Sequence, residues 1–142
     1  MNFVRLAANF IRVIAILQLL TTGLCFVPES VLESLYAWGG LGHLPHLPFL
    51  CYVIRGASYC QGAIGVLLWI IGTDVVRYRP LAIATGGIYL VAAPAFWAIH
   101  AIAGMPRWWA IMDTVACFFF GATLLVLCWL ARPRSSVSPA VA

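Results

Sequence analysis

FLCYVIRGASYCQGAIGVLLWII, residues 49–71, decides the fold. About twenty consecutive apolar residues are what a helix needs to cross the hydrocarbon of a bilayer. This stretch has that length, with one charged side chain inside it, Arg55. A guanidinium in hydrocarbon is costly and normally turns inward to a partner. The identity of that partner is the question the rest of the sequence has to answer.

Hydrophobic residues make up 64% of the chain and charged residues 8%. Soluble domains carry about 25% charged residues, so these charges are too few to coat a water-facing surface. The reading is an all-α integral membrane protein built as a single domain. The net charge of +4 comes from arginines near segment ends. They form no basic face, which argues against nucleic acid as a partner. The sequence contains no lysine, which excludes a lysine nucleophile or Schiff base.

Three further apolar segments accompany the first. Segment one covers 6–27, segment two 49–73, segment three 81–103 and segment four 108–130, with a disordered cytoplasmic tail over 133–142. Segment one has a basic start like a signal peptide, but no small-x-small cleavage site precedes Pro28, so it reads as an uncleaved anchor. Between segments one and two, Ser30 and Glu33 have capping-box spacing. Val31, Leu32, Leu35 and Trp38 then share a helical face, and Gly39 is placed to stop the helix. This predicts a short amphipathic helix over 31–38 lying at the membrane surface. Pro94 falls inside segment three and predicts a kink there. The expected architecture is four transmembrane helices in an up-down bundle with one interfacial helix.

Arg5, Arg12, Arg77, Arg79, Arg132 and Arg134 fall on one side of this arrangement, and only Arg107 on the other. The positive-inside rule then puts both termini in the cytoplasm of a bacterial cell, with the protein in its inner membrane.

Helical rise gives depth. Arg55 lies roughly 9 Å from the outer end of its segment, Asp113 roughly 7–8 Å and His100 roughly 5 Å. Gln18 and Gln61 sit deeper. Arg55 shares a face with Ser58, Tyr59 and Gly62, and Asp113 with Trp109, Ala116 and Cys117. The expectation is an Arg55–Asp113 ion pair with His100 and Tyr59 as neighbours. Three readings stay open: a pair that only fixes helix register, an Arg55 that snorkels to the headgroups, or a polar site for a ligand, ion or proton.

His43 and His46, with Glu29 and Glu33, are a candidate metal set on the outer side, although proline interrupts the histidine spacing. Cys25, Cys51, Cys60, Cys117 and Cys128 contain no CxxC and read as small hydrophobes. Cys25 and Cys51 fall near one membrane face, which leaves a disulfide between them open. No phosphate loop, HExxH or GxSxG is present. No cofactor is indicated, and His100 as the one intramembrane histidine excludes bis-histidine haem within one chain.

RGAS opens the second segment, DVVRYRP closes it and AGMPRWW opens the fourth. In these stretches and in topology the chain resembles small bacterial membrane proteins of the BphX-like and DoxX-like groups. The resemblance implies a link to aromatic-degradation operons or to redox complexes, and it transfers no catalytic residue. The expected role is a non-enzymatic accessory or interaction subunit, with homo-oligomerisation through small residues such as Gly86 and Gly87. The alternatives are a small-molecule or ion-handling protein using Arg55, Asp113 and His100, or a quinone-linked redox subunit.

Overall fold

The structure, a computed structural model, describes residues 3–43, 45 and 48–131. Helix α1 spans Phe3–Thr21 and passes into a 3-10 turn over Thr22–Cys25; α2 spans Glu29–Trp38, α3 Pro48–Thr73, α4 Arg79–Ala103 and α5 Arg107–Leu130. The described residues form no strand. Four helices are long and apolar enough to cross a membrane, as expected of a multi-pass membrane protein. The expected tail lies outside the described residues.

Local chemistry sets the ends. At the end of α1 the Thr21 hydroxyl turns back onto the Gln18 carbonyl at 2.6 Å, and the chain tightens into the 3-10 turn before Pro28. The end of α3 is followed by Asp74, whose carboxylate accepts the Arg77 backbone N–H at 3.0 Å. Pro80 sits in the first turn of α4, where its missing N–H is harmless. Gly104 closes α4 in the left-handed region, at φ 67°. The N–H groups of Gly104 and Met105 both return to the His100 carbonyl, a Schellman-type stop. α5 starts directly after Pro106.

The capping expectation for α2 is corrected. The helix starts at Glu29 behind Pro28, with no side-chain cap. Gly39 caps its C-terminus, as expected, with helical angles, and Gly40 follows in the left-handed region at φ 76°. Leu32 is the residue α2 buries, followed by the buried cap Gly39, while Val31, Leu35 and Trp38 stay exposed. The Trp109 indole N–H donates to the Gly39 carbonyl at 3.1 Å and ties α2 to the start of α5.

Glycines choose the neighbours. α1 and α3 pack antiparallel, with Gly62 against Thr22, Gly65 against Ala15 and Leu19, and Gly72 against Arg12. A Cβ on Gly65 would lie 3.0 Å from the Ala15 carbonyl oxygen. α4 and α5 pack antiparallel through Gly86 and Gly121, where a Cβ on Gly121 would lie 2.7 Å from the Gly86 carbonyl. Lipid tails are as apolar as leucine, so close backbone approach rather than hydrophobic burial holds such pairs together. Gly86 therefore contacts the chain's own α5, whereas Gly87 has open space around it. α1 also meets α5, with Phe10 stacked on Phe120 at 5.6 Å. α3 and α4, by contrast, scarcely touch.

The tightly packed core occupies the half of the molecule nearer the chain termini. It is built on Ile11, Leu68, Ile71, Leu124 and Cys128. Arg12 enters this half, with its Nε buried and without a hydrogen-bond partner among the described residues. The cavities begin at this core, with Leu68, Ile71 and Phe120 among their walls, and extend into the other half.

Candidate functional site

Tyr89, Phe96 and His100 lie seven and eleven residues apart along α4, one stripe of a 3.6-residue helix. The Gly104 turn reverses the chain so that this stripe faces Asp113 on α5. His100 Nε2 and Asp113 Oδ2 stand 2.9 Å apart. His100 is buried, and the Asp113 side chain keeps 45% exposure.

That exposed side of Asp113 lines a chamber of about 370 Å³ between all four long helices. Gln18 and Ile14 come from α1, Gln61 from α3, Tyr89 and Phe96 from α4, and Cys117 and Phe120 from α5. Gln18 Nε2 donates to the Tyr89 hydroxyl at 3.1 Å. Phe120 meets the Tyr89 ring edge-on at 4.5 Å and so holds it in place. Gln61 also lines the chamber, and its carboxamide has no protein hydrogen-bond partner among the described residues.

A second cavity, of about 420 Å³, lies in the seam between α3 and α4. Gln61, Tyr89 and Phe96 line both cavities. The remaining walls of the second are almost wholly aliphatic. Its one other polar side chain, Thr85, is spent on the Leu81 carbonyl at 2.9 Å. On the opposite side of the dyad, His100 lines a third cleft of about 290 Å³ with Trp97 and Arg107. His100 and Asp113 thus stand between the chamber and the α4–α5 end of the molecule.

The structure brings together Gln18, Gln61, His100 and Asp113. It leaves out Arg55 and Tyr59. Asp113 meets His100, and the Arg55 guanidinium reaches the Val27 carbonyl at 3.5 Å. The physical reason lies in α3 itself. Arg55 shares a face with Gly62, and that face packs on α1, so Arg55 points to the linker after α1 and not to α5. Tyr59 is exposed along a groove with Leu19 and Thr22. Cys25 and Cys51 are both free thiols, and Cys25 Sγ donates to the Arg55 carbonyl at 3.2 Å.

Of the candidate metal ligands, His43 and Glu33 approach to 3.6 Å. His46 lies outside the described residues. Among the described residues no three histidine, cysteine or acidic side chains gather.

Tyr89 and Cys117 are chamber residues to which the sequence reading gave no role. For Tyr89 the signal was present: it lies eleven residues before His100, which is one helical face. The chemistry on offer is hydrogen bonding. A phenol, two carboxamides and a carboxylate already engaged by imidazole converge on one space, and each element contributes a donor or acceptor.

No protein-family model matches this chain, and no curated protein or solved structure matches it either.

Proposed function

We propose that this is a multi-pass protein of the bacterial inner membrane, with both termini cytoplasmic, that binds a small molecule in the chamber between its four long helices. The helices form an up-down bundle in this reading, with α2 at the outer interface. The observation that carries the proposal is Gln61. A carboxamide near the middle of a membrane-spanning helix is normally satisfied by another helix. This one faces two cavities with no protein partner among the described residues. A bound molecule supplies the missing hydrogen bonds.

The test is native mass spectrometry of the protein released from mild detergent. A specific small molecule copurifies with the wild type and is lost from Gln61→Leu. Wild-type protein free of any bound mass, prepared from native membranes, refutes the proposal.

A second reading, an accessory subunit for another membrane protein, is supported by Gly87, where an added Cβ would meet nothing within 4 Å. The open space beside its partly buried backbone suits a partner helix or a second copy. Leucine at Gly87 then abolishes cross-linked higher-order species in the membrane, while leaving thermal stability unchanged.

A further inference from the structure

We infer that the chamber's ligand is a neutral membrane amphiphile, with its hydrogen-bonding head at Gln61, Gln18 and Tyr89 and its apolar body in the seam between α3 and α4. This inference rests on the binding role proposed above and adds the chemical class and the route.

The head is specified by the free valences of the chamber. Gln18 donates to Tyr89, which leaves the phenol proton free to donate. Among the described residues the side-chain carbonyl of Gln18 and the whole Gln61 carboxamide are also free. Donors and acceptors are therefore both present, which fits a hydroxyl or a carbonyl. The head is also specified by charge. Asp113 is the one ionisable carboxylate lining the chamber, and His100 occupies it at 2.9 Å. Arg55, the cation that would have held an anionic head, lies against Val27 instead. An anion thus finds no counter-ion here, and a cation would have to share the Asp113 carboxylate with His100.

The body is specified by the seam. Its walls are Ile64, Leu67 and Leu68 from α3 facing Leu81, Ile88 and Ala92 from α4. From Gln61 to Ile71 the seam follows ten residues of helix, roughly 15 Å. Gln61, Tyr89 and Phe96 belong to both spaces, so a head at these residues and a tail along the seam form one continuous molecule. The route follows from the packing. α1–α3 and α4–α5 are locked by glycine contacts, whereas α3 and α4 scarcely touch. Entry is lateral, from the hydrocarbon, between α3 and α4.

The experiment uses the full chain in vesicles of neutral phospholipid and three photoactivatable probes with a diazirine in the same lauryl chain. One carries a hydroxyl head, one a phosphate and one a trimethylammonium. Cross-linked peptides are mapped by mass spectrometry. The expected result is that the alcohol labels the α3 and α4 seam preferentially over the charged probes. Labelling then falls about fivefold in Gln61→Leu and in Tyr89→Phe, the factor carried by one lost hydrogen bond of ~1 kcal/mol. Gln61→Leu keeps the wild-type melting temperature or exceeds it, and Tyr89→Phe, which also removes the acceptor of the Gln18 bond, keeps wild-type helical circular dichroism at the labelling temperature, so the loss does not reflect unfolding. Even labelling of all lipid-facing helices overturns the inference, as does unchanged labelling in both variants. If a charged probe labels the seam more strongly and depends on Gln61, the class is wrong but the chamber still binds. If no probe depends on Gln61 and native mass spectrometry finds no retained molecule, the binding proposal falls with it.

Discussion

His100 and Asp113 close a 2.9 Å contact across the turn that joins α4 to α5, and that contact places a carboxylate at the wall of a chamber inside the helices. The two residues are thirteen apart in sequence. Gly104 makes this possible, because its left-handed backbone lets α4 stop and α5 return alongside it.

Removing one member of this pair leaves the other short of its partner. His100→Leu or Asp113→Leu alone is expected to lower stability by about 1–3 kcal/mol, the desolvation penalty of an orphaned polar group. The half-exposed carboxylate keeps the figure below that of a fully buried ion pair. The double variant recovers most of the loss. Thermal melts of the two single variants and the double in one detergent measure the coupling; additive losses mean that the pair does not hold the hairpin together.

Arg55→Leu is expected to change stability by no more than about 0.5 kcal/mol, as for other exposed positions away from a special contact. Its guanidinium is exposed, and its bond to Val27, at 3.5 Å, is at the limit of hydrogen bonding. Combining Arg55→Leu with Asp113→Leu gives simple addition. A measured coupling above ~1 kcal/mol would restore the ion pair that depth alone suggests.

Gly121→Ala is expected to destabilise by about 1–3 kcal/mol, the usual cost of overpacking. Its new methyl would meet the Gly86 backbone carbonyl, which cannot move aside as a flexible side chain does. Gly87→Ala, one residue along from Gly86, meets nothing and should be neutral or slightly stabilising. Parallel melting curves decide it, and equal effects at both positions would contradict this packing of α4 on α5.

Trp109→Phe removes the indole N–H that holds the Gly39 carbonyl while keeping an aromatic ring in place. α2 should then exchange its amide hydrogens faster by about an order of magnitude, whereas α4 and α5 are unaffected. Hydrogen exchange read by mass spectrometry on the α2 peptide tests this. Unchanged protection would mean that apolar contacts under α2, at Leu32 and Tyr36, suffice to hold it.

The four long apolar helices were legible from composition and run length, because bilayer thickness leaves few alternatives. Helical rise put Arg55, His100 and Asp113 at one height, and of the three the structure joins His100 to Asp113. Depth is a height, however, and a partner also needs a direction. Which helices are neighbours depends on where glycines let backbones meet, at Gly65 on Ala15 and at Gly121 on Gly86. That complementarity involves two surfaces at once, and one strand of letters shows each only separately. Arg55 and Gly62 were read on one face, but nothing in the sequence said that α1 would cover it. Tyr89 went unnoticed for a related reason: a tyrosine among glycines looks like packing until a glutamine from another helix is found beside it.

The glycine contacts divide the molecule into two stiff leaves, α1 with α3 and α4 with α5, bound along a spine where α1 meets α5. A book with such a spine opens at its fore-edge. A small rotation about α1–α5 would widen the seam between α3 and α4 with no helix unwound, no glycine contact broken and the His100–Asp113 contact carried intact within one leaf.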